Sequence, residues 1–195
     1  MRFRLFIAVA IPEEVKAAIE TAQNELRRTL PGGVVRWTRR EQFHLTLRFL
    51  GDVAVAQLAA LEGAARQVCA RFAPLEMRGE DVGFFPERGL PRVIWVGIKD
   101  QAGRLPELQH ALQEATLAFS SEAPERRFTG HVTLGRIKDI RRPEAETLTE
   151  AGARLAGLRS GWWTAPTIEI MRSELSPTGA THTALAALPL GGMEP

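Results

Sequence analysis

Apolar and polar positions along this chain switch between two periods, and the switching predicts one order of elements that occurs twice. Residues 3–10, rich in Phe, Ile and Val, read as a strand. Pro12 then stands at a first helical position with Glu13 and Glu14 in the first turn. Val15, Ile19, Ala22, Leu26 and Leu30 recur at helical spacing up to the stop at Pro31-Gly32-Gly33. Trp37 belongs to a short extended piece, and a strand over about 42–50 is broken by Gly51-Asp52. Leu58, Leu61, Ala65, Val68 and Phe72 form the stripe of a second helix, which Pro74 ends before an extended stretch over 75–84.

The same order recurs in the second half. Residues 92–98 predict a buried strand, and Pro106 opens a helix with the stripe Leu105, Leu108, Leu112, Ala115 and Phe119. A strand over about 130–137 comes next, then a weaker helix from Pro143 through Leu148, Leu155 and Leu158. An extended stretch over 166–175 is joined to a last strand, about 181–190, by the hairpin signal Ser176-Pro177-Thr178-Gly179. Repetition of this kind predicts an α+β fold: two pseudo-symmetric lobes of mainly antiparallel sheet, with outer helices, around a central cleft. We therefore expect a single bilobal domain over 1–195, with halves of about 1–88 and 89–195 and a crossover at 85–91. Strand order is not given by the pattern.

Composition narrows this little. With 45% hydrophobic and 25% charged residues, the 195-residue chain has an ordinary globular profile. A net charge of +2 and a pI of about 9.2 suit a phosphate-bearing partner without the polybasic character of a nucleic-acid coat. The single cysteine, Cys69, excludes an internal disulfide and a multi-thiolate metal site, and its helical stripe position reads as a small buried hydrophobe. The apolar N-terminal stretch is too short for a signal h-region, and no run is long enough to span a bilayer. The expectation is a cytoplasmic monomer.

Candidate chemistry lies in two strands. His44-Leu45-Thr46-Leu47 and His131-Val132-Thr133-Leu134 are 87 positions apart and fall at equivalent places in the repeated unit. Side chains alternate across a strand, so each motif lifts one imidazole and one hydroxyl from the same face. An imidazole titrates near neutrality, and a threonine hydroxyl donates to an oxygen gaining charge. Two facing pairs supply an acid, a base and two donors, which suits in-line displacement at phosphorus. Zinc is disfavoured because neither motif carries a carboxylate or thiolate beside its histidine. A serine hydrolase lacks its Gly-x-Ser-x-Gly elbow here, and no P-loop is present.

On these residues the chain resembles the 2H phosphoesterase superfamily, and within it the RNA 2′,3′-cyclic phosphodiesterases, also called 2′-5′ RNA ligases. The resemblance runs through Arg4-Leu5-Phe6-Ile7-Ala8, Phe43 to Leu47 with Phe49-Leu50-Gly51, Arg92 to Gly97, Phe128 to Arg136 and the closing strand pair. It implies that His44, Thr46, His131 and Thr133 are catalytic in a hydrolysis needing no metal and no cofactor. The substrate implied is RNA with a 2′,3′-cyclic phosphate end, or a cyclic nucleotide, and the product a 2′-phosphate. The resemblance assigns His131 as base and His44 as acid, while the residues themselves leave that choice open. Two alternatives are 2′-5′ ligation at the same site and a non-catalytic nucleotide- or RNA-binding module on the same fold.

The resemblance also implies that Arg136 binds the phosphate. Strict alternation from His131 puts it on the wrong face, so the assignment requires a bulge or strand end near Gly135; the same alternation puts Arg48 on the face of His44 and Thr46. Gly130 stands where the family usually has Pro, which loosens the approach to the second strand. His182 stands where relatives often place an aromatic, and reads as an exposed or hydrogen-bonded strand histidine. His110 reads as solvated. The basic pairs Arg39-Arg40, Arg126-Arg127 and Arg141-Arg142 read either as guides for an RNA backbone or as solvated charge.

Overall fold

The computed structural model describes residues 1–176 and 179–192; within the predicted turn at 176–179, Pro177 and Thr178 lie outside the described residues. The chain runs β1 (Arg2–Ala10), α1 (Glu13–Arg28), β2 (Val35–Trp37), β3 (His44–Ala54), α2 (Leu58–Cys69), β4 (Leu75–Phe85) and β5 (Val93–Asp100). It continues through α3 (Leu105–Thr116), β6 (His131–Ile137), α4 (Arg142–Arg154), β7 (Trp163–Ala165), β8 (Thr167–Ser176) and β9 (Gly179–Pro189). Every long element predicted from periodicity is present. The short β7 is additional, and Pro12 is the residue before α1 rather than its first helical position.

Two antiparallel sheets result, one in the order β3-β1-β8-β9 and the other β2-β6-β5-β4-β7. Each therefore draws strands from both sides of residue 88. In the repeated unit, β1 and β5 correspond, as do β3 and β6, and β4 and β8. The third strand of each unit leaves its own unit and pairs with the first strand of the other: β8 with β1, β4 with β5. Residues 85–91 accordingly lie in and beside the hairpin between β4 and β5 within one sheet, and make no crossover between lobes. This exchange interlocks the halves.

Helices α2 and α3 lie against β9 and β3 of the first sheet, while α1 and α4 lie against β4 of the second. The core forms where their stripes meet the sheets: Val15, Ile19 and Leu26 from α1, Leu61 and Val68 from α2, Leu108 and Leu112 from α3, all nearly inaccessible. Burying such a side chain is worth about 1.5–3 kcal/mol. Central strand β1 is buried continuously from Leu5 to Val9. Leu5, Ile7 and Val9 join the core, whereas Phe6 and Ala8 point to the opposite face. No helix among the described residues is long and apolar enough to cross a membrane.

Strand β3 does not stop at Gly51. Leu5 pairs with Gly51 and Phe6 with Phe49, which leaves Leu50 as an extra residue, and Gly51 takes φ +69°. Such a bulge uses the freedom of glycine to bend a strand without ending it. A side chain at Gly51 would also collide with Ser121 Oγ.

Candidate active site

β3 and β6 belong to different sheets, yet their Cα atoms approach within 8 Å across the molecule. Both begin with the motif histidine, and both alternate as the sequence predicts: His44 and Thr46 half-buried around buried Leu45, His131 and Thr133 half-buried around buried Val132.

The two imidazoles are held in the same way. His44 Nδ1 lies 2.7 Å from the Gln42 carbonyl oxygen, and His131 Nδ1 lies 2.7 Å from that of Thr129. A carbonyl only accepts, so each Nδ1 carries the proton and donates it. In the neutral ring Nε2 is then the free base. Neither threonine hydroxyl is spent on a hydrogen bond within the described residues.

After the threonine both strands bulge. On β6, Trp95 pairs with Thr133 and Ile94 with Gly135, so Leu134 is the extra residue. On β3, Ala8 pairs with Thr46 and Ile7 with Arg48, so Leu47 is extra. Each bulge reverses the alternation beyond it. Arg136 thus pairs with Val93, on the face that Trp95 and Gly97 share with Thr133 and His131. The bulge required near Gly135 is present, and it turns Arg136 towards the histidine face. Gln23, buried on α1, stabilises it by donating to the bulged Leu134 carbonyl at 2.8 Å, which also accepts from Thr38 N–H. Gly135 is tight as well, since a Cβ there would stand 2.6 Å from Val35.

The same device removes Arg48 from the site, correcting the reading by strict alternation. Arg48 is 4% exposed, and its guanidinium donates to the carbonyls of Ala123 (2.8 Å) and Glu122 (2.9 Å) and to Ser120 Oγ (3.1 Å). Its place on the histidine face is taken by Phe49, 53% exposed. The equivalent positions of the two walls therefore hold Phe49 and Arg136.

Aromatic rings complete each wall. Phe6 stacks under His44 (centroids 4.8 Å) and also meets Phe49 and His182. His182 stands edge-on to His44 at 5.3 Å, in the cleft rather than in solvent, and its buried Nδ1 has no hydrogen-bond partner among the described residues. On the other wall Phe85 meets His131 edge-on at 5.2 Å and Trp95 lies 6.1 Å from it. Nothing in the sequence pattern singles out Phe6, Phe49, Phe85 or Trp95 as site residues, and His182 reads there as an ordinary strand histidine. The one available signal is that His182 departs from an aromatic position of relatives.

Burial pushes the His44 imidazole down to about 4; the carbonyl of Gln42 opposes this, and charge on His182 and His131 adds to it. His131 is also lowered, first by burial, then by the positive charge of Arg136, against the Thr129 carbonyl. Burial lowers His182 too. Every imidazole lining the cleft therefore favours its neutral form while no anion is bound.

Away from the cleft, His110 is exposed, and Cys69 is fully buried, its thiol pushed up to about 11 by burial. Gly130 does not loosen its strand: its carbonyl accepts from Ile98 N–H at 2.9 Å, and a Cβ would stand 3.0 Å from Ile98 O and from Leu105. Arg40 is tied to Glu13 and Glu20, Arg141 to Glu144 and Arg127 to Glu87. Among the described residues no group of three or more His, Cys, Asp or Glu is placed to hold a metal ion.

Known proteins resemble this chain along most of its length. The family model "LigT like Phosphoesterase" matches twice, over residues 9–95 and 96–181. A Geobacillus stearothermophilus protein named RNA 2',3'-cyclic phosphodiesterase is 33% identical over 98% of this chain, which spans 58% of that relative's length. A Thermus thermophilus protein of the same name is 32% identical over 97% of this chain and 91% of its own. Among solved structures, TT0787 of Thermus thermophilus superposes over the whole of both chains with TM-score 0.78 and 27% identity. Escherichia coli LigT, solved with 3'-AMP, superposes over 97% of this chain and 99% of its own with TM-score 0.74, at 22% identity. Two matches of one model, each containing one His-x-Thr strand, account for the doubled order of elements: the chain belongs to the LigT-like phosphoesterase family.

Proposed function

We propose that this protein hydrolyses 2′,3′-cyclic phosphates at RNA or nucleoside ends to 2′-phosphates, with His44, Thr46, His131 and Thr133 as catalytic residues and Arg136 as a phosphate ligand. One observation carries the reading: two imidazoles on opposed strands, each with Nδ1–H tied to a backbone carbonyl and a threonine on the same face. The names of the relatives support the substrate class.

In-line attack places the incoming water and the departing 3′ oxygen on opposite sides of phosphorus, matching two opposed walls. One histidine takes the proton of water through Nε2 as its oxygen bonds to phosphorus. The P–O3′ bond breaks, and the other histidine gives its Nε2 proton to O3′. The products are a 2′-phosphate and a 3′-hydroxyl. The threonine hydroxyls and Arg136 oppose the charge that grows on the non-bridging oxygens. The histidine acting as acid must first gain a proton that burial discourages, and an anionic phosphate between the walls supplies the opposing charge. Both motifs come from one chain, so a monomer suffices, and we place it in the cytoplasm.

Incubation of the pure protein with 2′,3′-cyclic AMP in EDTA tests this. Adenosine 2′-phosphate is the expected product. Adenosine 3′-phosphate as the product, or no turnover with the nucleotide bound, overturns the assignment. Profiles of kcat/KM against pH are expected to be bell-shaped and centred on the acid side of neutrality, because both histidines are lowered in the free protein.

A further inference from the structure

Three arginines continue from the histidine face onto the neighbouring strand and beyond. Arg136 on β6 is paired across the ladder with Arg36 on β2, so their side chains share the face of His131 and Thr133. β2 is the edge of its sheet, and the row runs away from the rings of Trp95 and Phe85 on the other side of β6. The row then meets the start of β9. A Cβ added at Gly179 would stand 3.9 Å from Arg36 Nη2 and 3.8 Å from Arg39 Nη2. Arg39 Nη2 also donates to the Ala180 carbonyl at 3.3 Å, which fixes its direction.

The adjacent Arg39 and Arg40 thereby part company. Arg40 is neutralised by Glu13 and Glu20, at 3.1 Å each, on the outside of the protein. Arg36, Arg39 and Arg136 have no carboxylate within ion-pair distance among the described residues. Like charges brought together repel, and an anion among them reverses the sign of that interaction. Guanidinium forks match phosphate oxygens in pairs.

We propose that Arg36 and Arg39, next to Arg136, form a second anion subsite that takes the 5′-phosphate group of the nucleotide whose cyclic end lies between the histidines. This rests on the reading of the catalytic cleft given above. A 3′-terminal nucleotide in RNA carries two phosphates: the cyclic one, and the one on O5′ that joins it to the rest of the chain. Adjacent strands lie about 4.8 Å apart, so a row crossing β6 to β2 moves outward by one strand spacing from the reacting phosphate. A cyclic mononucleoside phosphate lacks the second anion, and the subsite therefore separates chain ends from free cyclic nucleotides.

Product binding tests this without turnover. The probe is a 5′-fluorescein-labelled tetrauridylate ending in a 2′-phosphate, followed by anisotropy, with uridine 2′-monophosphate and uridine 2′,5′-bisphosphate as competitors. At low salt the tetranucleotide and the bisphosphate are expected to bind about tenfold tighter than the monophosphate. In the double variant Arg36→Ala/Arg39→Ala that ratio falls to within about twofold, and the slope of log Kd against log salt for the tetranucleotide drops by about 0.7, for the one phosphate that the two arginines share. Equal affinities in the wild type, or a ratio that survives the double substitution, overturns the subsite. A gain shown by the tetranucleotide alone overturns its assignment to the 5′-phosphate. Failure of the wild type to hydrolyse a cyclic phosphate, with the ratio present in the wild type and lost in the double variant, counts against the catalytic reading and leaves the subsite standing.

Discussion

On their histidine faces, strands β3 and β6 of the two cleft walls repeat one design and then differ at one position. Both hold a histidine through a carbonyl two residues earlier, both present a threonine beside it, and both bulge at the following leucine. The residue two places beyond the bulged leucine is Phe49 on one wall and Arg136 on the other. The β3 wall is otherwise lined by Phe6 and His182, so His44 sits among groups that disfavour charge. The β6 wall adds a permanent cation. A repeated scaffold thus supplies the paired geometry, and one difference after the bulge, Phe49 against Arg136, supplies an asymmetry of the kind the proposed acid and base roles need.

The largest expected effect breaks both walls alike. His44→Ala and His131→Ala are each expected to lower kcat by about 10²–10⁴-fold with no change in thermal midpoint, and the double variant to fall little further because the two act as a unit. Near wild-type turnover in either single variant refutes paired proton transfer.

Next comes the position at which the walls differ. Arg136→Gln is expected to reduce kcat/KM on the order of 10²-fold, as for loss of a group opposing growing negative charge. Its cation lowers the His131 pKa, so its removal raises it. The limb of the kcat/KM profile that reports His131 then moves to higher pH. A slower enzyme with an unmoved limb would place the charge of Arg136 away from His131.

The smallest effect on activity, and the sharpest check on the bulges, belongs to Arg48. Arg48→Met leaves the Ala123 and Glu122 carbonyls without their donor, at a cost of about 2–4 kcal/mol. That corresponds to a thermal midpoint roughly 5–15 °C lower. Turnover below the transition stays within a few-fold of wild type if Arg48 lies behind the strand. Loss of turnover with unchanged stability would return Arg48 to the cleft.

Much of this was legible in the order of residues. Apolar periodicity predicts α1 to α4 and every long strand, because a residue buried on one face of a helix or strand must recur with that element's period. The two His-x-Thr strands stand out for the same reason: their polar pair falls on one face and their apolar pair on the other. The course of each strand beyond its motif was not legible. Arg48 and Arg136 occupy places that strict alternation assigns to the wrong face, and the bulges at Leu47 and Leu134 leave no mark in local composition beyond Gly135. Gln23 stabilises one bulge from 111 residues away, a distance at which sequence spacing carries no information.

Taken alone, then, the sequence determined the doubled series of elements and the two imidazole-and-hydroxyl pairs, since both follow from short-range periods of the backbone. Tertiary structure decided which strands pair, by exchanging β4 and β8 between the repeats. It also decided which arginine faces the cleft, and brought His182 against His44. Those outcomes depend on register across ladders, where one extra residue turns every later side chain to the other face.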